Sequence, residues 1–149
     1  MKKETIAIAS DHGGFIMKEA LKRYIESLGF VVHDFGASTY NEKDDYPQYA
    51  FAVASEIVSK RIKRGILICG SGQGMCIVAN RTKGVRAALA WSLASAQASR
   101  NDDDANVLCL GARLISTKQA RDVVIVWLNT PFAKETRFKR RIKKIDEGK

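Results

Sequence analysis

Residues 65–75 read GILICGSGQGM, an apolar run that ends in Cys69 and opens into a stretch where Gly70, Gly72 and Gly74 alternate with Ser71 and Gln73. A short run that is apolar at every position and stopped by glycine is the pattern of a strand buried on both faces. The pattern recurs outward in both directions, as TIAIAS (5–10), FVVHDFG (30–36), VRAALA (85–90) and NVLCLG (106–111). Between these runs the spacing changes to that of helices. FIMKEALKRYIESLG (15–29) carries Phe15, Ile16, Ala20, Leu21, Tyr24, Ile25 and Leu28 at helical intervals, with Gly29 as a stop. PQYAFAVASEIVSK (47–60) has Pro47 in a first-turn position. Further helices are expected from near Gly74, over SLASAQASRN (92–101), over STKQARDVVIVWLN (116–129) and from Thr136 to Asp146, the last reaching beyond the body. Buried strands alternating with helices predict an α/β fold, with a parallel sheet covered on both faces.

The chain has 149 residues, 46% of them hydrophobic and 28% charged, which suits one ordinary globular domain spanning 1–149. No apolar run approaches a membrane span, and MKKETIAIAS lacks a signal-type apolar stretch, so a cytoplasmic protein is expected. The cysteines Cys69, Cys76 and Cys109 are odd in number and lack CxxC spacing, which argues against a disulfide framework or a zinc knuckle. His12 and His33 are the only histidines, too few for a histidine-built metal site. Much of the net charge of +9 lies in KETRFKRRIKKIDEGK (134–149), a pattern open to nucleic acid, an anionic small substrate or a solvated helix face.

In a parallel α/β sheet ligands bind outside the carboxyl ends of the strands. Those ends carry Ser10-Asp11-His12-Gly13-Gly14, Cys69-Gly70-Ser71-Gly72 and Gly111-Ala112-Arg113. Glycines there let backbone N–H groups face an anion, a phosphate or a developing oxyanion. The loop is neither a P-loop, since no GK[ST] follows, nor the GxGxxG fingerprint. A helix start beside a thiol favours the thiolate, which can act as nucleophile or general base. Nucleophilic work would need a partner base, and His12 is the one histidine placed to serve. The plainer alternative makes Cys69 a small buried strand residue, as Cys109 is expected to be.

The segments IASDHGGF, DYPQYA, GILICGSGQGMCIVANR, GVRAAL and NVLCLGARLI, in this order over nearly the whole chain, resemble the type B ribose-5-phosphate isomerases. That group stands with the galactose-6-phosphate and allose-6-phosphate isomerases. The resemblance implies a Rossmann-like three-layer α/β/α sandwich with a five-stranded parallel sheet and a C-terminal helix. It implies a cofactor-free, metal-free homodimer, sometimes paired into a tetramer, with active sites between subunits and no nucleic-acid or membrane partner. It makes Cys69 the base that moves a proton between C2 and C1 of an opened sugar phosphate. Ser71 and the backbone of Gly70, Gly72, Gln73 and Gly74 would hold the enediolate oxygen. Asp11 and His12 would contact the sugar and its phosphate end, Tyr46 would line the pocket, and Arg113, Arg137 and Arg141 would bind phosphate. Arg137 and Arg141, at i and i+4, share one helix face. Lys139, Arg140, Lys143 and Lys144 read as solvated surface.

Two departures bear on the substrate. SRNDDDAN (99–106) places Asp102 and Asp103 where the family usually has the histidine that helps open the furanose ring and an asparagine; Phe138 replaces another histidine. Asp102 is therefore a candidate acid or base, since adjacent carboxylates resist joint ionisation, and Asp103 a candidate substrate contact. The expected reaction is aldose–ketose isomerisation of ribose 5-phosphate and ribulose 5-phosphate. The alternatives are a hexose 6-phosphate isomerase and a non-catalytic basic nucleotide- or nucleic-acid-binding protein. Against the last, the tail has little aromatic interleaving.

Overall fold

In the computed structural model, which describes residues 2–149, the apolar runs form β1 (Thr5–Ser10), β2 (Val31–Asp34), β3 (Arg64–Cys69), β4 (Ala87–Leu89) and β5 (Val107–Gly111). All pair in parallel, in the order β2-β1-β3-β5-β4. The helices are α1 (Phe15–Ser27), α2 (Tyr46–Val58), α3 (Gln73–Ala79), α4 (Leu93–Asn101), α5 (Thr117–Asn129) and α6 (Thr136–Glu147), with a 3-10 turn over His12–Gly14.

Strand alternation sorts the core into two layers. Ile6, Ile8, Ile66, Ile68, Leu108 and Leu110 face α1, α4 and α5, where Leu21, Ala96 and Trp127 meet them. Ala7, Ala9, Leu67, Cys69, Val107 and Cys109 face α2 and α3 through Val53, Ala54, Ile57 and Met75. This is the expected three-layer α/β/α sandwich. Ser92 with Ser95, and Ser116 with Gln119, close reciprocal capping boxes that start α4 and α5. Pro47 lies in the first turn of α2, as its position predicted.

Several boundaries differ from the sequence pattern, β4 among them, which pairs only over Ala87–Leu89 of the expected 85–90. β2 stops at Asp34 rather than running to Gly36, because the Asp34 carboxylate turns to Lys18 Nζ at 2.9 Å and Lys22 Nζ at 2.7 Å. α1 ends at Ser27, and Gly29, at φ +96°, carries the chain away in a left-handed turn. α3 begins at Gln73, one residue before Gly74, and is short at 7 residues.

The order of strands locates the site. From β1 the chain steps to β2 on one side, then crosses back by α2 to β3 on the other. Loops after β1 and β3 therefore part in opposite directions and leave a crevice at their carboxyl ends.

Candidate active site

The crevice is walled by residues 11–14 and 69–74. Cys69 closes β3 and is 4% exposed. Its Sγ accepts the Gly72 N–H at 3.1 Å, which fixes the sulfur at the loop's base. Ser71 Oγ accepts the Gln73 N–H at 3.3 Å. The exit of β5 is sewn to the same loop: Ala112 N–H donates to Cys69 O and Arg113 N–H to Gly70 O, each at 2.9 Å. The Arg113 guanidinium then lies flat over the loop, and a methyl group on Gly70 would stand 2.8 Å from its Cζ. On the other flank a methyl on Gly74 would meet Tyr46 Cζ at 2.4 Å. The absence of side chains thus admits an arginine and a tyrosine to one short stretch of main chain.

From β1, Asp11 is 7% exposed and its Oδ1 accepts the Gly14 N–H at 3.3 Å. Burial raises the Asp11 carboxyl above the usual carboxylate range. His12 donates twice to one oxygen of Asp44: its backbone N–H reaches Oδ1 at 2.9 Å and its Nδ1 reaches the same atom at 2.7 Å. Tyr49 OH donates to Asp44 Oδ2 at 3.1 Å. The bond to Asp44 raises the His12 pKa. Burial alone would raise Asp44, but the bonds from His12 and Tyr49 outweigh it and hold that carboxyl low. Among the described residues, Asp11, His12 and Asp44 are the group able to hold a cation, with one ligand atom of each within 4.8 Å of the others. A cation bound through His12 Nδ1 would have to displace the bond to Asp44. Asp44 and Tyr49 were not among the residues singled out from the sequence.

Asp102, Asp103, Arg137 and Arg141 lie elsewhere. α4 runs back from the carboxyl end of β4, so Asp102, its C-cap, sits at the amino end of the sheet. The Asp102 carboxylate accepts from Asn101 Nδ2 at 2.7 Å, and Asp103 O accepts from Arg86 Nε, just before β4, at 3.1 Å. Of the adjacent aspartates, Asp103 has its carboxyl raised, by burial first and the Asp102 charge second, against the pull of Arg141 and Arg86. Arg86 also ties α6 down through Asp146 at 3.2 Å. On α6, Arg137 Nε pairs with Glu135 at 2.9 Å and its guanidinium stacks 4.8 Å from the Phe138 ring, while Phe138 itself is 6% exposed. A cavity of about 820 Å³ opens at this end, between Arg64, Arg86, Arg100, Lys60, Lys63 and Lys83. A six-residue strand such as β3 spans roughly 17–20 Å, and the sheet stands between the two groups. One chain thus joins Asp11, His12, Tyr46, Cys69, Gly70, Ser71, Gly72, Gln73, Gly74 and Arg113, and leaves Asp102, Asp103, Arg137 and Arg141 apart.

The other cysteines face away from the crevice mouth. Cys109 is fully buried and its thiol is pushed up; a hydrogen bond with it brings Cys76 down to about 7. Cys76 Sγ points toward β4, 3.4 Å from Ala87 O.

A sequence model described as Ribose/Galactose Isomerase matches residues 6–145. The chain is similar to a ribose 5-phosphate isomerase of Thermotoga maritima, with 44% identity, 98% of this chain and 99% of that one covered, and a TM-score of 0.93. It is similar to the ribose-5-phosphate isomerase B of Mycoplasma genitalium, solved with bound ribulose-5-phosphate, at 39% identity, 99% and 97% coverage and a TM-score of 0.94. The D-erythrulose-4-phosphate isomerase of Pectobacterium atrosepticum is 38% identical over 128 residues, 86% of this chain and 84% of that protein. A crevice built on a thiol, a bare glycine loop and an arginine, in a sandwich shared over nearly its whole length, places this chain in the ribose/galactose isomerase family.

Proposed function

We propose that the chain, one domain over 1–149, interconverts an aldose phosphate and its ketose, with ribose 5-phosphate and ribulose 5-phosphate as the pair. The observation that carries this is Cys69 Sγ, held at the end of β3 by the Gly72 N–H and next in sequence to Gly70, which the Arg113 guanidinium covers. A base and an anion clamp thereby share one loop. The Cys69 thiolate takes the proton from C2 of the open aldose. The electron pair left at C2 forms the C1–C2 double bond of the enediolate, as the C1 carbonyl takes on negative oxygen. Ser71 Oγ and the loop N–H groups other than those of Gly72 and Gln73, which are bonded to Cys69 Sγ and Ser71 Oγ, stabilise that charge. Cys69 then returns the proton to C1 while the O2 proton passes to O1, leaving the carbonyl at C2. Nothing in this sequence of proton moves calls for a redox cofactor.

The remaining candidates join the site from a second copy. Asp102, Asp103, Arg137 and Arg141 stand at the amino end of the sheet, and a partner related by a two-fold axis across the strands brings them over the first copy's Cys69. This reading makes the enzyme a homodimer with shared sites, able to pair further into a tetramer. We place it in the cytoplasm, where phosphorylated sugars are held and free thiols stay reduced. Among the described residues no helix is long and apolar enough to cross a membrane.

The test is turnover on a panel of tetrose, pentose and hexose phosphates. Ribose 5-phosphate should give the highest kcat/KM; no turnover of any member overturns the reading. The tetrose belongs in the panel because of the erythrulose-phosphate relative at 38% identity. A preference for it would move the substrate assignment and leave the Cys69 chemistry in place.

A further inference from the structure

Asp44 is the one carboxylate in the crevice whose two oxygens are both engaged by groups of the site. Oδ1 takes the backbone N–H and the ring Nδ1 of His12, and Oδ2 takes Tyr49 OH. Its side chain is 3% exposed against 36% for His12, so the pair is anchored from the buried side and open on the other. A carboxylate is acceptor-only. The Nδ1 contact therefore requires the proton on Nδ1, and leaves Nε2 as the ring nitrogen available to a ligand. The turn that carries His12 abuts the cysteine loop, for a methyl on Gly13 would stand 2.9 Å from Gly70 N. Arg113 covers that same Gly70, so the turn that carries His12 and the guanidinium flank one piece of main chain.

We propose that Asp44 is a positioning residue, which sets the tautomer and charge of His12 so that the ring presents Nε2–H to the substrate's phosphate opposite Arg113. The proposal rests on the sugar-phosphate reading above. The raised His12 pKa agrees with it. The groups around the ring are Asp11 from its own turn, Asp44 from the loop before α2, and Tyr49 from α2 acting through Asp44. The Tyr40 ring stands edge-on at 6.3 Å, and Gly70, just past the end of β3 at Cys69, abuts the turn at Gly13. On α1, Lys18 is committed to Asp34 at 2.9 Å. Asp11 and Asp44 are the negative charges acting on His12, and both favour its protonated form. The sign follows: phosphate binding through His12 is full at low pH and fades as pH rises through the raised titration.

The experiment reads the ring nitrogens of the full-length protein by 15N NMR, with His33→Asn assigning the two histidines. In the wild type, neutral His12 should carry its proton on Nδ1. In Asp44→Asn the titration should move to lower pH and the tautomer preference weaken. Tyr49→Phe, which removes one of the three bonds to Asp44, should move it less in the same direction. Steady-state kinetics then separate the roles. Asp44→Asn should raise KM for the sugar phosphate roughly 10- to 100-fold near neutral pH, the cost of one charge-assisted hydrogen bond, with kcat little changed. The rise of KM with pH should begin earlier than in the wild type. An unmoved His12 titration in both variants overturns the proposal, as does a loss in kcat with KM intact. If no sugar phosphate is turned over, the functional reading fails by itself. The titration, and its upward shift on adding inorganic phosphate to wild type but less to Asp44→Asn, still decides the role of Asp44.

Discussion

The two ends of the sheet are built differently. At the carboxyl ends of β1, β3 and β5 the contacts tie the loops of the site to one another: Cys69 to Gly72 and Arg113 to Gly70 within the cysteine loop, and His12 to Asp44 beside it. At the amino ends the charged groups mostly serve the fold. Arg64 grips Glu4 at 2.7 Å and Arg86 spans Asp104 and Asp146, while Arg137 turns to its neighbour Glu135. One end is a finished pocket floor and the other a set of cationic and acidic groups with a solvent-facing side. Chemistry that needs both a base and a phosphate clamp can start at the first end. On the shared-site reading it draws on the second through another copy.

Cys69→Ala should break the finished end most severely. Exchange of the C2 proton with deuterated solvent should fall by at least the roughly 10²–10⁴-fold expected of a lost general base, with phosphate affinity nearly kept. Wild-type exchange would remove Cys69 from the mechanism. The division between ends is sharpened by mixing inactive Cys69→Ala with inactive Arg137→Ala/Arg141→Ala protein. Free subunit exchange should restore about a quarter of wild-type activity, because half the dimers are mixed and each holds one intact site. No recovery after verified exchange would place the cysteine and the arginines in one chain's site. Gly74→Ala tests the close approach of Tyr46, since the new methyl would intrude to 2.4 Å from its ring. Stability should drop by about 1–3 kcal/mol, the usual cost of overpacking, and be measurable as a lower urea midpoint. Smallest is Asp102→Asn. With its carboxylate turned to Asn101 at the far end, turnover of ribose 5-phosphate should change less than about 10-fold. A loss confined to the aldose direction and above that would make Asp102 the group that opens the ring.

Much of this was legible in the sequence, for identifiable reasons. β1, β3 and β5 are buried on both faces, so their unbroken apolar runs had no competing reading. Strand–helix alternation then dictated which residues sit at carboxyl ends, and so brought Asp11, Cys69 and Arg113 together on paper. The same alternation carried a signal for Asp102: a residue that ends a crossover helix lies opposite the catalytic ends. Asp44 was not legible. It sits in a polar loop whose composition reads as solvent-facing, and its partner His12 is 32 residues away. Only the return of the loop across the end of β1, fixed by Ser10 N–H to Gly36 O at 2.7 Å and Ala37 N–H to Ser10 O at 2.8 Å, brings the two together. Phe138 shows how packing adds to a reading from sequence. Read as a change at a substrate-handling position, it is 6% exposed and packs as an apolar foothold of α6.

A parallel sheet is a polar object, with unlike ends, and two copies related by a two-fold axis across the strands bring unlike ends together twice. On the shared-site reading, catalytic competence is then a property of the pair and appears in units of two. Dilution becomes an inhibitor: as protomers separate, specific activity falls with concentration although each chain stays folded, and substrate, which touches both chains, pulls them back together.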